Sequence, residues 1–273
     1  DKNGGIKGLR FSALADHGAF NSHVSASKLP AGLFSICTGS YAIPNAYCRV
    51  DAVFTNKAPG GVAYRCSLRV TEAVYLIERM IDVLAQKLGI DKAEIRRRNF
   101  VKPEQFPYTT SLGWTLDSGN YQTALDKVLK ACDYEGLRRE QAAKRADPKS
   151  PTLMGIGVCT FTEVVGAGPT KICDILGIGL FELAGKQPEG RIYVESTSSV
   201  SGPSWPNGCH ISEVELDPAT GEIQVVAYSS VNDIGRVVNP MIVRGQLDGG
   251  AVQGIGQALM EQMAYVAQTG PPT

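Results

Sequence analysis

A mixed α/β fold is predicted by three features of this sequence: one strongly amphipathic stretch, several short alternating stretches, and turn residues set between them. Over 70–88, Val70, Val74, Ile77, Ile81, Leu84 and Leu88 recur at spacings of four and three, while Glu78, Arg79, Asp82 and Lys87 fall off that stripe. Tyr47 to Thr55 alternates apolar with polar side chains, the period of a half-buried strand. Asp217-Pro218-Ala219-Thr220-Gly221 separates two such stretches, 208–216 and 222–233, and predicts a hairpin turn.

Taken in order, 6–20 alternates loosely and is expected to form a strand ending near Asp16-His17-Gly18. Asn56-Lys57-Ala58-Pro59-Gly60-Gly61 breaks the second strand and opens a loop that runs straight into the amphipathic helix. Gly89 ends that helix in the position glycine favours just past a C-terminus. Asp91 is placed to cap a short helix over 92–99. Its Arg96-Arg97-Arg98 run reads as a solvated face or a subunit contact, because the patch is short and the chain neutral.

Helices are expected over 121–131 and 134–146, the second highly charged and exposed. Asp147-Pro148-Lys149-Ser150-Pro151 is the best linker and divides the chain into regions 1–147 and 148–273. Strands follow over 153–162, 175–183 and 191–196, then the hairpin. Gly166-Ala167-Gly168 lacks the third glycine and the helix of a dinucleotide fingerprint, so it reads as a turn. Glu163 beside it could serve as a base, against the commoner fate of a carboxylate that is exposed or paired. The last element, 239–267, reads as one long helix. Gly245, Gly249, Gly250, Gly254 and Gly256 lower its propensity, which points to close approach of another backbone or a bulky cofactor.

Composition narrows the class. The 273 residues suffice for one large domain or two ordinary ones, and 27 basic residues balance 27 acidic ones. Nothing electrostatic favours nucleic acid or an anionic membrane. No apolar run reaches the roughly 18 residues of a spanning helix, and Asp1-Lys2-Asn3-Gly4-Gly5 does not read as a signal peptide. The seven cysteines are widely spaced with no Cys-x-x-Cys, which predicts free thiols in the cytoplasm and no iron–sulfur cluster or zinc finger within this chain.

Chemistry concentrates in Gly60-Gly61-Val62-Ala63-Tyr64-Arg65-Cys66-Ser67-Leu68-Arg69. The glycines let backbone come close to a ligand. Two arginines and a helix N-terminus all favour the thiolate of Cys66, a soft donor for Cu(I) or a nucleophile. The plain alternative is a small buried apolar cysteine.

Val62 to Arg69 closely resembles the active-site loop of the molybdenum-containing carbon monoxide dehydrogenase large subunit, within the xanthine dehydrogenase and aldehyde oxidase superfamily. Members that oxidise carbon monoxide carry Ala-Tyr-Xaa-Cys-Ser-Phe-Arg there, whereas hydroxylating relatives usually have Arg-Gly and no cysteine. Leu68 departs by standing where the pattern has Phe, which bears on the lining of the substrate channel. Further stretches resemble the superfamily: Tyr41-Ala42-Ile43-Pro44, 88–99, 233–240 and Gly245-Gln246-Leu247-Asp248-Gly249-Gly250.

The resemblance implies a molybdopterin-binding fold, a catalytic loop of Tyr64, Arg65, Cys66, Ser67 and Leu68, and Cys66 as ligand to a copper bridged by sulfide to molybdenum. It implies cofactor contacts from Arg65, Gly245, Gln246 and Gly250, a packed interhelical Gln246 being the plainer reading of that residue. The implied cofactors are molybdopterin cytosine dinucleotide with Mo, Cu(I), and FAD and [2Fe-2S] on partner subunits. The implied partners are a medium flavoprotein and a small iron–sulfur subunit in an oligomeric assembly, placed in the cytoplasm or at the inner face of the membrane.

Family loops are missing: Gly-Gly-Gly-Phe-Gly before Asp1, the Gln-Gly-Gln-Gly-His insert between Ser196 and Pro203, and Gly-Glu beyond Thr273. The expectation is an internally deleted fragment, or separate segments written as one chain. Three readings follow: oxidation of CO with water to CO2, molybdenum hydroxylation of an aldehyde or purine, or a catalytically silent structural remnant.

Overall fold

The computed structural model describes residues 1–19, 33, 34, 36–57, 70–165, 203–262 and 264. The strands expected over 175–183 and 191–196 lie outside them. β1 (Leu9–Asp16) pairs in parallel with β2 (Ala46–Val53), Leu9 opposite Ala46. β1 is shorter than the 6–20 expected: it begins after Gly8, and beyond its end Gly18 turns the chain at φ +70°.

α1 (Val70–Leu88) buries Ala73, Ile77, Ile81 and Ala85, with Val74 and Leu84 packed beside them. The expected stripe holds at its centre, whereas Leu88 is exposed and Glu78, expected off the stripe, is buried. Gly89 takes φ +65° and stops the helix. Ile77 is 2% exposed, so Ile77→Asp places an unpaired charge in the core at a cost of several kcal/mol. The expected result is loss of soluble, cooperatively melting protein; a variant as stable as its parent would remove this stripe from the core.

α2 (Lys92–Asn99) starts as expected on Asp91, whose carboxylate accepts from Ala93 N at 2.8 Å and Glu94 N at 3.2 Å. A small hairpin, β3 (Tyr108–Thr109) with β4 (Thr115–Leu116), leads to α3 (Tyr121–Ala131) and α4 (Tyr134–Ala146). α4 is mostly exposed, as its charge predicts, but Gln141 is buried and donates to Met154 O at 3.0 Å.

β5 (Leu153–Thr162), β6 (Asn207–Leu216) and β7 (Ile223–Asp233) form an antiparallel sheet in that order. Met154, Ile156, Val158, Thr160 and Thr162 point to the buried face, on which α1, α3 and α4 pack. The β6–β7 turn is the one expected, with Gly221 at φ +78° and Asp217 accepting from Ala219 N at 2.7 Å.

α5 (Pro240–Leu259) starts on Asn239, which accepts from Met241 N at 3.1 Å. Its regular turns end at Leu259, where Met260 N and Glu261 N both return to Gly256 O at 2.8 and 3.0 Å, and the expected end at 267 lies outside the described residues. None of its residues is buried.

Candidate functional site

Tyr64, Arg65, Cys66, Ser67 and Leu68 lie outside the described residues; the structure describes what holds their loop at either end. Upstream, Asp16 at the end of β1 clamps the strand that enters the loop. Its carboxylate accepts from Gly18 N at 2.9 Å and Thr55 Oγ1 at 2.7 Å, and pairs with Lys57 Nζ at 3.1 Å. Backbone bonds His17 N to Val53 O and Thr55 N to Gly18 O, each 2.8 Å, complete the clamp. The Gly18 and Thr55 hydrogen bonds, then Lys57, lower the Asp16 carboxyl from the ordinary 3.8 to about 2.

That depression has a defined sign. A carboxyl lowered on folding contributes stability above its unfolded value of 3.8, and the contribution is lost as pH falls toward about 2. Asp16→Asn is therefore expected to flatten the acid limb of the stability profile between those values while changing its shape little at neutral pH. Urea midpoints measured across that window check it; an unchanged acid limb would remove the clamp.

Downstream, α1 is fastened by a buried network. Glu78 accepts from Tyr41 OH at 2.5 Å, Thr160 N at 2.8 Å, Thr160 Oγ1 at 3.0 Å and Arg96 Nε at 2.9 Å. Arg96 is fully enclosed and also donates to Asp82 Oδ1 and to Lys92 O, both at 2.9 Å. Lys92 Nζ closes the set on Asp82 Oδ2 at 2.7 Å, so two acids meet two bases. Burial and the Glu78 charge hold the Tyr41 hydroxyl well above its ordinary range. Burial opposes the charge on Arg96, but Glu78, Tyr41 and Asp82 outweigh it and raise its pKa well above the ordinary value.

This corrects the reading of Arg96-Arg97-Arg98 as a solvated face. Arg96 follows Ala93 on the inward side of α2 and reaches across to α1, whereas Arg97 pairs with Glu94 and Asp126 and Arg98 with Glu94 nearer solvent. A signal was present: Ala93, Arg96 and Asn99 recur at spacings of three, the stripe a buried helix face makes.

The structure sets the first turns of α1 beside the later part of α5. A groove of about 410 Å³ is lined by Thr71, Glu72 and Tyr75 at the start of α1 and by Gly254, Gln257 and Ala258 of α5. Gly245 and Gln246 are exposed on α5 and Gly250 is half-buried. A side-chain carbon built on Gly245, Gly249 or Gly254 would meet nothing within 4 Å. Close backbone approach therefore does not explain these glycines among the described residues; their faces are open to a ligand. Glu163 is half-buried, its carboxyl raised by burial and partly restored by Val164 N at 2.9 Å, a local contact at the end of β5. Among the described residues, no group of three or more His, Cys, Asp or Glu side chains is arranged to hold a metal.

Comparison with known proteins places this architecture. Family models described as molybdopterin cofactor-binding domains match residues 1–100 and 182–273. The chain belongs to the molybdopterin cofactor-binding family. Within that family it is 40% identical, over 392 aligned positions, to the carbon monoxide dehydrogenase large chain of Hydrogenophaga pseudoflava, covering 97% of this chain and 49% of that one. It is 55% identical over 202 positions to the corresponding chain of Afipia carboxidovorans, covering 73% of this chain and 24% of that one.

A crystal structure of Cu,Mo-CO dehydrogenase superposes with a TM-score of 0.84 and 30% identity, covering 97% of this chain and 50% of that chain. Quinoline 2-oxidoreductase from Pseudomonas putida 86 superposes at 0.82 with 24% identity over 99% of this chain and 50% of that chain, which supports the fold alone. The chain spans about half the length of the Hydrogenophaga relative. The 392 aligned positions exceed the chain's own 273 residues, so the alignment opens gaps in this sequence opposite residues of that relative.

Proposed function

We propose that this chain is part of the large subunit of an aerobic, molybdenum- and copper-containing carbon monoxide dehydrogenase. The reaction converts CO and water to CO2, two protons and two electrons. The observation that carries the reading is Cys66 within Ala63-Tyr64-Arg65-Cys66-Ser67-Leu68-Arg69: a thiolate between arginines is a soft donor matched to Cu(I). The relatives named carbon monoxide dehydrogenase large chain support it.

Arg65 keeps the sulfur ionised and contacts the cofactor, while Tyr64, Ser67 and Leu68 shape the loop's substrate side. The open face of Gly245 on α5 fits a broad ligand, and there the Gln246 amide both donates and accepts, with Gly250 as a further cofactor contact. When bound, the molybdenum–pterin group supplies a two-electron redox centre and Cu(I) supplies a soft site for CO. The cytosine dinucleotide form of the pterin belongs to the proposal. So do FAD and [2Fe-2S] on a medium flavoprotein and a small iron–sulfur subunit, and a cytoplasmic location.

Metal analysis of the purified full-length subunit, with CO-dependent dye reduction on the same sample, tests the reading. Molybdenum and copper together with CO turnover are the expected result. Molybdenum alone, with turnover on an aldehyde or purine, would replace it with a hydroxylase. Neither metal would leave a silent structural module.

A further inference from the structure

Cys37 and Cys48 stand at the two ends of the segment 38–47, and their sulfurs lie 3.3 Å apart. Both are free thiols; Cys37 is fully buried, and Cys48, on β2, is partly open to solvent. We propose that this pair is an oxidation-responsive clasp, closed to a disulfide by a hydroperoxide and reopened by a dithiol. It involves neither Cys66 nor the reaction proposed above.

Geometry carries the inference. A disulfide spans about 2.05 Å, so the sulfurs need to approach by little more than 1 Å. Cys37 also reaches Phe34 O, at 4.0 Å, but its sulfur contact with Cys48 is shorter, whereas the Cys132 and Cys159 thiols are directed to carbonyls alone, Leu129 O at 3.6 Å and Thr160 O at 3.8 Å. Order of reaction follows from access. Burial raises the pKa of both clasp thiols, and at Cys37 the neighbouring Cys48 raises it further, whereas the hydrogen bond from Cys37 works to lower that of Cys48.

Cys48 is therefore the sulfur that meets the oxidant. Its thiolate attacks one oxygen of hydrogen peroxide, the O–O bond breaks, and Cys48 becomes a sulfenic acid while the departing hydroxide takes a proton to give water. The Cys37 sulfur then displaces the hydroxyl from Cys48, losing its proton, and a second water leaves. Two thiols and one peroxide give one disulfide and two waters, the electron pair passing from sulfur to the peroxide bond.

Closure would staple the segment that carries Ser40 and Tyr41. Ser40 Oγ is hydrogen-bonded to Thr162 Oγ1 at 2.7 Å, and Tyr41 OH donates to Glu78 at 2.5 Å. Because a cross-link restricts the unfolded chain, the closed form should melt higher.

The test uses the full-length protein, fully reduced, then treated with hydrogen peroxide, alkylated after unfolding and mapped by mass without reduction. The expected product is a peptide pair joining Cys37 to Cys48, two hydrogens lighter than the separate peptides and lost on adding dithiothreitol. The oxidised protein should melt several degrees higher, and the rise should vanish in Cys48→Ser. Should that variant fail to fold, Cys37→Ala serves the same purpose. Full alkylation of both cysteines after peroxide, or Cys48 recovered as sulfinic acid with Cys37 free, overturns the clasp. A cross-link with an unchanged melting midpoint overturns the staple.

Discussion

Cys66→Ser in the intact assembly is expected to abolish copper binding and CO-dependent dye reduction while leaving molybdopterin content unchanged. Serine keeps the size of cysteine but offers a hard hydroxyl that stays protonated, so the soft metal loses its ligand. Arg65 and Arg69 favour the thiolate before copper arrives, and neither charge rescues an alcohol. A cysteine that merely fills space would behave in the opposite way, with modestly altered stability and retained turnover. Copper, molybdenum and dye reduction measured on one preparation separate these outcomes. Undiminished turnover in a serine variant shown to lack copper would end the assignment.

Arg96→Met is expected to cost about 3–5 kcal/mol, the range for removing one partner of a buried ion pair. It would leave Glu78, 6% exposed, and Asp82 near one another without the guanidinium that neutralises both. Glu78→Gln should cost less, since an amide still accepts from Tyr41 and Thr160. The double variant should be less destabilised than the sum of the two, because each removes the other's uncompensated charge. Urea unfolding of all three supplies the cycle. A loss under about 1 kcal/mol for Arg96→Met is the figure for a surface pair and would return Arg96 to the solvated face.

Much of the fold was legible because its signals are local. The stripe of α1, the Asp91 cap and Gly89 stop, and the Asp217–Gly221 turn each depend on side chains a few residues apart. The parallel pairing of β1 with β2 was not legible, since register between distant strands leaves no mark in either one alone. Arg96 was misread for a similar reason. Charge predicts exposure unless a partner is known, and its partners lie 14 and 18 residues away on another helix.

The candidate site divides the same way. Sequence alone determined the chemical content: Cys66 between arginines before a helix, and a glycine-rich stretch around Gln246, because donor softness and side-chain size are properties of single residues. Only the tertiary structure decided how those stretches are held. It placed the start of α1 and the Gly254 end of α5 on one groove, pinned the strand entering the loop at Asp16, and fastened α1 through Glu78 to Arg96, Tyr41 and Thr160. It also set Cys37 against Cys48. Contacts of this kind depend on how the chain returns upon itself, and no spacing within one element encodes which buried charge will meet which.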